Sequence, residues 1–344
     1  MKRKIKLFLL YCFKYLGIFS IARYLSRNAL QILCYHNFSK GDEISCTPAM
    51  IMHPETLHKR LETIKKYGFT VLGLTEALHK LYDTNSTLPK NTIAITIDDG
   101  WYNTLALADL LFKEFDYPYT IYVTSYYSRV QLPLFNMVIP YMLCKTTEIN
   151  QDKISKLIGF TISSMQPEVI AKEIIEYGYS KLNIQQREEF TYQLGEILSV
   201  SYKEIINSKT YHLLSQNDIK QLDERGVDIQ LHTHRHTFPN ETQSASAEII
   251  QNRDFLQPLT NSSLTHFCYP SGDWNTHHFT ALQQCGIASA TTCDHGFNTP
   301  QTHKYALKRF LDGENVSQIE FEAALCGVIE IARRVKKLYQ SLKH

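Results

Sequence analysis

The chain has 344 residues, 44% of them hydrophobic and 20% charged, a balance that supports a sizeable globular core. A formal net charge of +2 gives no bulk electrostatic case for nucleic acid, so none is expected as a partner and any basic contact surface must be local. The eight cysteines (12, 34, 46, 144, 268, 285, 293, 326) contain no CxxC pair; in apolar runs such as ILCYH and HFCYP a buried free thiol is expected, which leans towards a reducing compartment.

The first 28 residues, MKRKIKLFLLYCFKYLGIFSIARYLSRN, start basic, and Lys14 interrupts the apolar run to leave only Leu7 to Phe13 unbroken. That is too short to span a bilayer. Lys6, Leu10, Lys14, Gly17, Ser20, Arg23 and Arg27 recur at three- and four-residue steps, all but Leu10 polar or small. This basic stripe predicts a helix lying in a membrane interface, hence a cytoplasmic protein held peripherally on the inner face of the cell membrane. Ser20-Ile21-Ala22 loosely resembles a cleavage site, so the alternative is export with residues 1–22 as a signal peptide.

Strand-like runs then follow in order: LQILCYH, FTVLGL, TIAITI, YTIYVT, VDIQL, THFCYP and IASATT. Helical patterns lie between several of them: PETLHKRLETIKKYG, NTLALADLLFKEF, SQNDIKQLDERG, SAEIIQNRDFLQPL and HHFTALQQCG. Repeated βα units predict an α/β fold with a mainly parallel sheet, closed or open. The stretch from about 126 to 211 breaks the alternation and is expected to be a loop, SRVQLPLFNMVIP, followed by a helical insertion. The main domain is therefore placed at 29–315. A basic C-terminal helix follows at 316–344, with Ala332, Val335, Leu338 or Tyr339, and Leu342 as its apolar stripe and Arg333, Arg334, Lys336 and Lys337 on other faces.

Chemistry concentrates where these strands end. AITIDDGW sets Asp98 and Asp99 side by side, although adjacent carboxylates disfavour each other's ionised form. VDIQLHTHRHTFP ends another strand in His232, His234 and His236. If the strand continued, His232 and His234 would share a face; if the chain turns, His232 and His236 converge instead. Two imidazoles and one carboxylate make a three-ligand metal site with open positions, and a divalent cation offsets the repulsion between the aspartates. A third strand end, HFCYPSGDW, supplies a turn whose backbone amides can face a ligand.

TIDDG, HTHRH and FCYPSG, in this order, resemble the first three motifs of the polysaccharide deacetylase (NodB-type, carbohydrate esterase) family. The resemblance runs from about Leu30 to Asp312, leaving out most of the insertion. It implies an irregular (β/α) barrel of about seven strands with a helical insertion, and a hydrolase that uses one divalent metal ion. Zinc is the first expectation, with cobalt, nickel or iron as alternatives. Residue by residue, it makes Asp98 the catalytic base and Asp99, His232 and His236 the metal ligands; His234 gets no role, and Thr233 is expected to fix the loop.

The pattern also has gaps. Cys268 stands where many members have Arg, and neither a fourth motif nor a late Leu-x-His is found. ILCYHNF resembles instead the branch acting on exopolysaccharides such as poly-N-acetylglucosamine, which makes His36 the general acid, with His295 and His303 next in line. Arg309, in ALKRFLD, is a candidate partner for Asp98, but a surface Arg is the expectation. Tyr269, Pro270, Ser271 and Gly272 are the expected substrate-binding turn, and Trp101 and Trp274 the candidate sugar platforms, because flat aromatic faces pack on sugar rings.

The expected activity is deacetylation of N-acetylated sugars of a bacterial surface glycan or its lipid-linked precursor. A glycan-binding protein of the same fold that has lost turnover is the alternative, and a non-haem Fe(II) oxygenase a more distant one. Oligomeric state is not legible in the sequence.

Overall fold

The computed structural model describes residues 2–333. Its centre is a curled parallel sheet built from β1 (Gln31–Tyr35), β2 (Thr70–Val71), β3 (Thr92–Ile97), β4 (Thr120–Val123), β5 (Asp228–Leu231), β6 (His266–Cys268), β7 (Ser289–Thr291) and β8 (Phe310–Leu311). Seven strands run in the order β8-β1-β3-β4-β5-β6-β7, and β2 pairs with β3. A parallel bridge from Thr291 to Leu307 carries the curl on beyond β7. The expected α/β barrel of about seven strands is therefore present in its irregular, incomplete form.

Every residue of β1, β3 and β4 is buried, as expected of strands covered on both faces. Leu33, Ile95, Ile121, Ile229 and Phe267 pack with helix residues such as Leu57, Phe112, Leu222 and Leu282 in one core. The register pairs Tyr35 with Ile97, Cys34 with Leu311 and Val123 with Leu231. The carboxyl ends of these strands therefore share one rim, where parallel sheets gather their chemistry.

The insertion differs from expectation at its start. Phe135–Lys145 is helical through Pro140, although a loop was expected there. Val138, Ile139 and Met142 bury against Ile170, Ile174 and Leu194 of the helices Pro167–Lys181 and Ile184–Leu198, and that burial overrides the proline. The same cluster takes in Ile51 and Trp101 of the main domain. A disulfide between Cys46 and Cys144 joins the two regions covalently. The other six cysteines are free, with Cys34, Cys268 and Cys326 buried. The buried free thiols expected in ILCYH and HFCYP are present, but the Cys46–Cys144 pair removes the ground for arguing a reducing compartment.

The N-terminal segment forms α1 (Lys2–Tyr15) and α2 (Ile18–Ser26), bent by 81° at Gly17, whose φ of 77° suits a residue without a Cβ. Its basic stripe faces inwards, against expectation. Lys6 pairs with Glu320 at 2.7 Å, Lys14 pairs with Glu322, and Arg23 donates to the Tyr67 carbonyl. Between these contacts Leu10, Phe19 and Ala22 pack on Ile319, Ala323 and Cys326, at or just after the helix Gln318–Leu325. Two acidic residues on that helix reverse the orientation a basic stripe would otherwise take. Among the described residues, no single helix is long and apolar enough to cross a membrane. Most of the basic C-terminal stripe, from Arg334 onwards, lies outside the described residues.

Candidate active site

Strand β3 delivers the aspartates. Asp98 extends the ladder by donating its N–H to the Tyr35 carbonyl at 3.0 Å, and the chain then turns sharply, with φ of 72° at Asp99 and 82° at Gly100. A Cβ on Gly100 would also come within 3.2 Å of the Val123 side chain, so this position requires glycine. The turn separates two carboxylates that are neighbours in sequence. Each enters a different set of partners.

Asp99 faces the histidines that follow β5. Its Oδ1 lies 3.1 Å from His232 Nε2 and 3.2 Å from His236 Nε2, and the three ligating atoms lie within 4.8 Å of one another. Positive φ at Thr233 (64°) and His236 (58°) bends the chain so that the i, i+4 pair converges rather than His232 and His234. His234 instead contacts Ser125 Oγ through Nδ1 at 2.9 Å. The Thr233 hydroxyl is buried and has no hydrogen-bond partner among the described residues, so it does not fix the loop through its side chain. His232 Nδ1 lies 2.8 Å from the Cys268 carbonyl and, by donating to it, leaves Nε2 as a lone-pair donor. Burial disfavours the His232 cation, but the Asp99 hydrogen bond and both aspartate charges outweigh it and raise its pKa. Burial also opposes ionisation of Asp99, yet His232 and His236 hold its carboxyl well below the usual range. Two imidazole nitrogens and a carboxylate oxygen converging on one point, with one ring's other nitrogen tied to a carbonyl, fit a divalent cation.

Asp98 is only 3% exposed and is gripped on both oxygens by Arg309, at 2.6 and 2.7 Å. Arg309 itself is fully buried; it also donates from Nε to the Thr292 carbonyl and from a terminal nitrogen to Thr96 Oγ1. The expectation of a surface Arg is therefore wrong. Cys268 explains how this arises: its small side chain lies 3.3 Å from Arg309 and 3.4 Å from Asp98, leaving room for a guanidinium that arrives from just before β8. Cys34 Sγ completes the surround at 3.5 Å from Asp98. Burial would raise the Asp98 pKa, but the charge and hydrogen bonds of Arg309 outweigh it and hold the carboxyl well below the ordinary range.

His36 follows β1 and brings Nε2 to 3.8 Å from Asp98 Oδ2, with 13% of its side chain exposed. Together with Asp98, Asp99, His232, His236 and Ser271 it lines a cavity of about 820 Å³. His295 also reaches this cavity, whereas His303 stacks on Phe279 at 4.5 Å and lines a different one.

Several expected substrate contacts are corrected. Trp101 is 1% exposed and offers no face to a sugar; its Nε1 donates to Asp99 Oδ2 at 2.9 Å. The Tyr269 side chain is fully buried, with its hydroxyl on the Tyr305 carbonyl at 3.0 Å, and Pro270 is buried beside it. Gly272 has positive φ and lies so close to Cys293 that a Cβ would sit 2.4 Å from the Cys293 Cβ, which makes it a packing residue. Trp274 is stacked parallel to Phe279 at 5.8 Å, donates to Asp294, and is absent from the cavity wall. Only Ser271 of the turn borders the cavity.

The family model described as polysaccharide deacetylase matches residues 181–290, a span that contains His232, His236 and the Cys268–Gly272 turn. The matched segment is about a third of the chain. Solved structures share the fold of this chain. The deacetylase PplD of Streptococcus pyogenes, seen in complex with acetate, superposes with a TM-score of 0.57 at 15% identity, covering 87% of this chain and 99% of PplD. IcaB of Ammonifex degensii gives 0.55 at 14%, covering 87% and 97%. A de-N-acetylase of Aggregatibacter actinomycetemcomitans gives 0.54 at 11%, covering 86% and 99%. At these identities the likeness establishes the fold. No curated protein matches this chain.

Proposed function

We propose that this protein hydrolyses the N-acetyl groups of sugars in a bacterial surface glycan, or in its lipid-linked precursor, with one divalent metal ion, zinc foremost. The observation that carries the reading is the division of labour between neighbouring aspartates. Asp99 faces two imidazoles, while Asp98 is held by Arg309 with His36 beside it. Asp99, His232 and His236 are the residues that would hold the ion; when bound, it supplies Lewis acidity that polarises the acyl oxygen and acidifies water.

Asp98, kept anionic by Arg309, takes the proton of the attacking water. Arg309 occupies one lone pair on each carboxylate oxygen; the Cys34 and Cys268 thiols both lie against Oδ2, and Oδ1 keeps its second lone pair available. The Ser271 N–H, which no acceptor takes among the described residues, is the donor we assign to the oxyanion that develops on the acyl group. His36 gives a proton to the departing nitrogen, a poor leaving group without it. The absence of the third-motif Arg favoured a protein without turnover; Arg309 in contact with Asp98 supports the enzyme reading instead.

The test is acetate release from N-acetylglucosamine oligosaccharides, soluble and lipid-linked, before and after chelation. Loss on chelation and recovery with added zinc is expected; no acetate from any of these substrates with metal present contradicts the reading. His36→Ala should keep its metal and lose turnover on the amide substrate, but lose less on an activated aryl acetate, whose leaving group needs little protonation. Equal losses on both remove His36 from the acid role.

A further inference from the structure

The N-terminal helices are built inside out for a surface element. In α1 the face turned to the body carries Lys6, Leu10, Phe13 and Lys14, with both lysines spent on Glu320 and Glu322. The face turned away carries Ile5, Phe8, Leu9, Tyr11 and Tyr15, and α2 continues it with Ile21, Tyr24 and Leu25 at i, i+3 and i+4. Phe8 is 68% exposed, Leu16 70% and Tyr15 94%. Nine of the 15 large apolar residues left exposed among the described residues fall between positions 5 and 25. Single exposed apolar residues need no explanation, but a continuous face of this kind marks an interaction surface.

The chemistry of the surface selects its occupant. Tyrosines interleave with aliphatic residues, as at the boundary between acyl chains and headgroups. Residues 2–41 contain no acidic side chain, so the segment itself carries nothing that repels anionic headgroups, while Lys6, Lys14 and Arg23 of its inner face are engaged by the body. The 81° bend precludes a straight span and suits two short helices lying in the plane of an interface. Arg3 and Lys6 of α1 also line the cavity that holds Asp98 and His36, so whatever α1 rests on lies next to that cavity.

We propose that α1 and α2 form an in-plane membrane anchor, with the apolar face inserted and the basic face holding the body. The anchor sets the catalytic cavity at the lipid surface, so the glycan it meets there is one attached to lipid. This substrate assignment rests on the deacetylase reading above.

Flotation of the full chain with phosphatidylcholine–phosphatidylglycerol vesicles tests the anchor. The wild type should float, and the double variant Phe8→Glu/Leu16→Glu should partition at least tenfold less, since each large apolar side chain withdrawn from an apolar phase costs about one to two decades. Neither residue touches the cavity, so the variant's unfolding transition and its turnover of a soluble aryl acetate should stay unchanged. On an N-acetylglucosamine oligosaccharide coupled to phospholipid in those vesicles, the wild type should outpace the variant by the same factor. Equal flotation of the two proteins overturns the anchor. So does a wild type that remains soluble, a concentration-dependent dimer abolished by the same substitutions, or a mature N-terminus near Arg23. No acetate from any substrate, with flotation intact, overturns the deacetylase reading and leaves the anchor standing.

Discussion

Asp98 and Asp99 are adjacent in sequence yet belong to regions assembled in opposite ways. The Asp99 region is made from two short runs, each of which carries its own turn: Asp99-Gly100 after β3 and Thr233 to His236 after β5. The Asp98 region draws on residues far apart in the chain: Arg309 lies 211 positions away, Cys268 lies 170, and Cys34 lies 64. Ligating atoms can be supplied by a local turn. A buried base needs its countercharge brought to it through the whole sheet, from whichever strand end has room.

The largest effect that separates the regions should come from Arg309→Gln. Removing one partner of a buried ion pair strands the other charge, which costs about 3–5 kcal/mol, so denaturant midpoints should fall steeply. Metal content should hold, because Arg309 does not touch the Asp99 set. The acid limb of the activity profile should move to higher pH, because with the guanidinium gone only the weaker pull of His36 and His232 opposes the burial that pushes the Asp98 pKa up. An unchanged acid limb would falsify the assignment of Arg309 as the group that keeps Asp98 ionised.

A smaller effect is expected on the other side. Trp101→Phe removes the donor on Asp99 Oδ2 while keeping an aromatic side chain in the cluster it shares with the insertion. Outer hydrogen bonds to ligating groups are worth about 10–100-fold in metal affinity. A metal titration should show a loss of that order, and excess zinc should restore turnover. Unaltered affinity would mean that Trp101 serves packing alone.

The smallest effect concerns the contact between α1 and the body. Burial opposes ionisation of Glu320, but Lys6 and Ser317 overcome it and bring its pKa to about 2 from an ordinary 4.5. A depressed carboxyl stabilises the fold fully above the unfolded value and loses that contribution as pH falls towards the folded one. Protection of the α1 amides, measured against their intrinsic exchange rates, should therefore fall between about pH 4.5 and pH 2, with Lys6→Met showing less of this change. The pair involves a half-exposed lysine and is worth about 1 kcal/mol or less.

These differences also explain what could be read from sequence. TIAITI and VDIQL lie on the strands they suggest, because buried parallel strands are near-continuous apolar runs. Phe310–Leu311 escaped notice since a two-residue strand has no period, and with it went the placement of Arg309. Leu74–Tyr82 does carry a helical signal, at Leu74, Ala77, Leu78 and Leu81, but it follows directly on FTVLGL and is masked by that run. Trp101 was legible as a residue close to the site but not as a donor, because its orientation follows from packing against the insertion. The basic stripe of α1 was legible as a stripe; the direction it faces depends on Glu320 and Glu322, more than 300 residues away.

The central claim is that the two aspartates divide metal binding from proton transfer, and one paired measurement addresses it. Asp98→Asn and Asp99→Asn would be purified alongside the wild type, and each preparation assayed for bound metal and for acetate release from N-acetylglucosamine oligosaccharides. Asp98→Asn should retain stoichiometric metal and lose ~10²–10⁴ in turnover, since an amide cannot take the water's proton. Asp99→Asn should bind metal weakly and regain activity as zinc is raised. Equal metal loss in both variants, with zinc restoring both, would contradict the division.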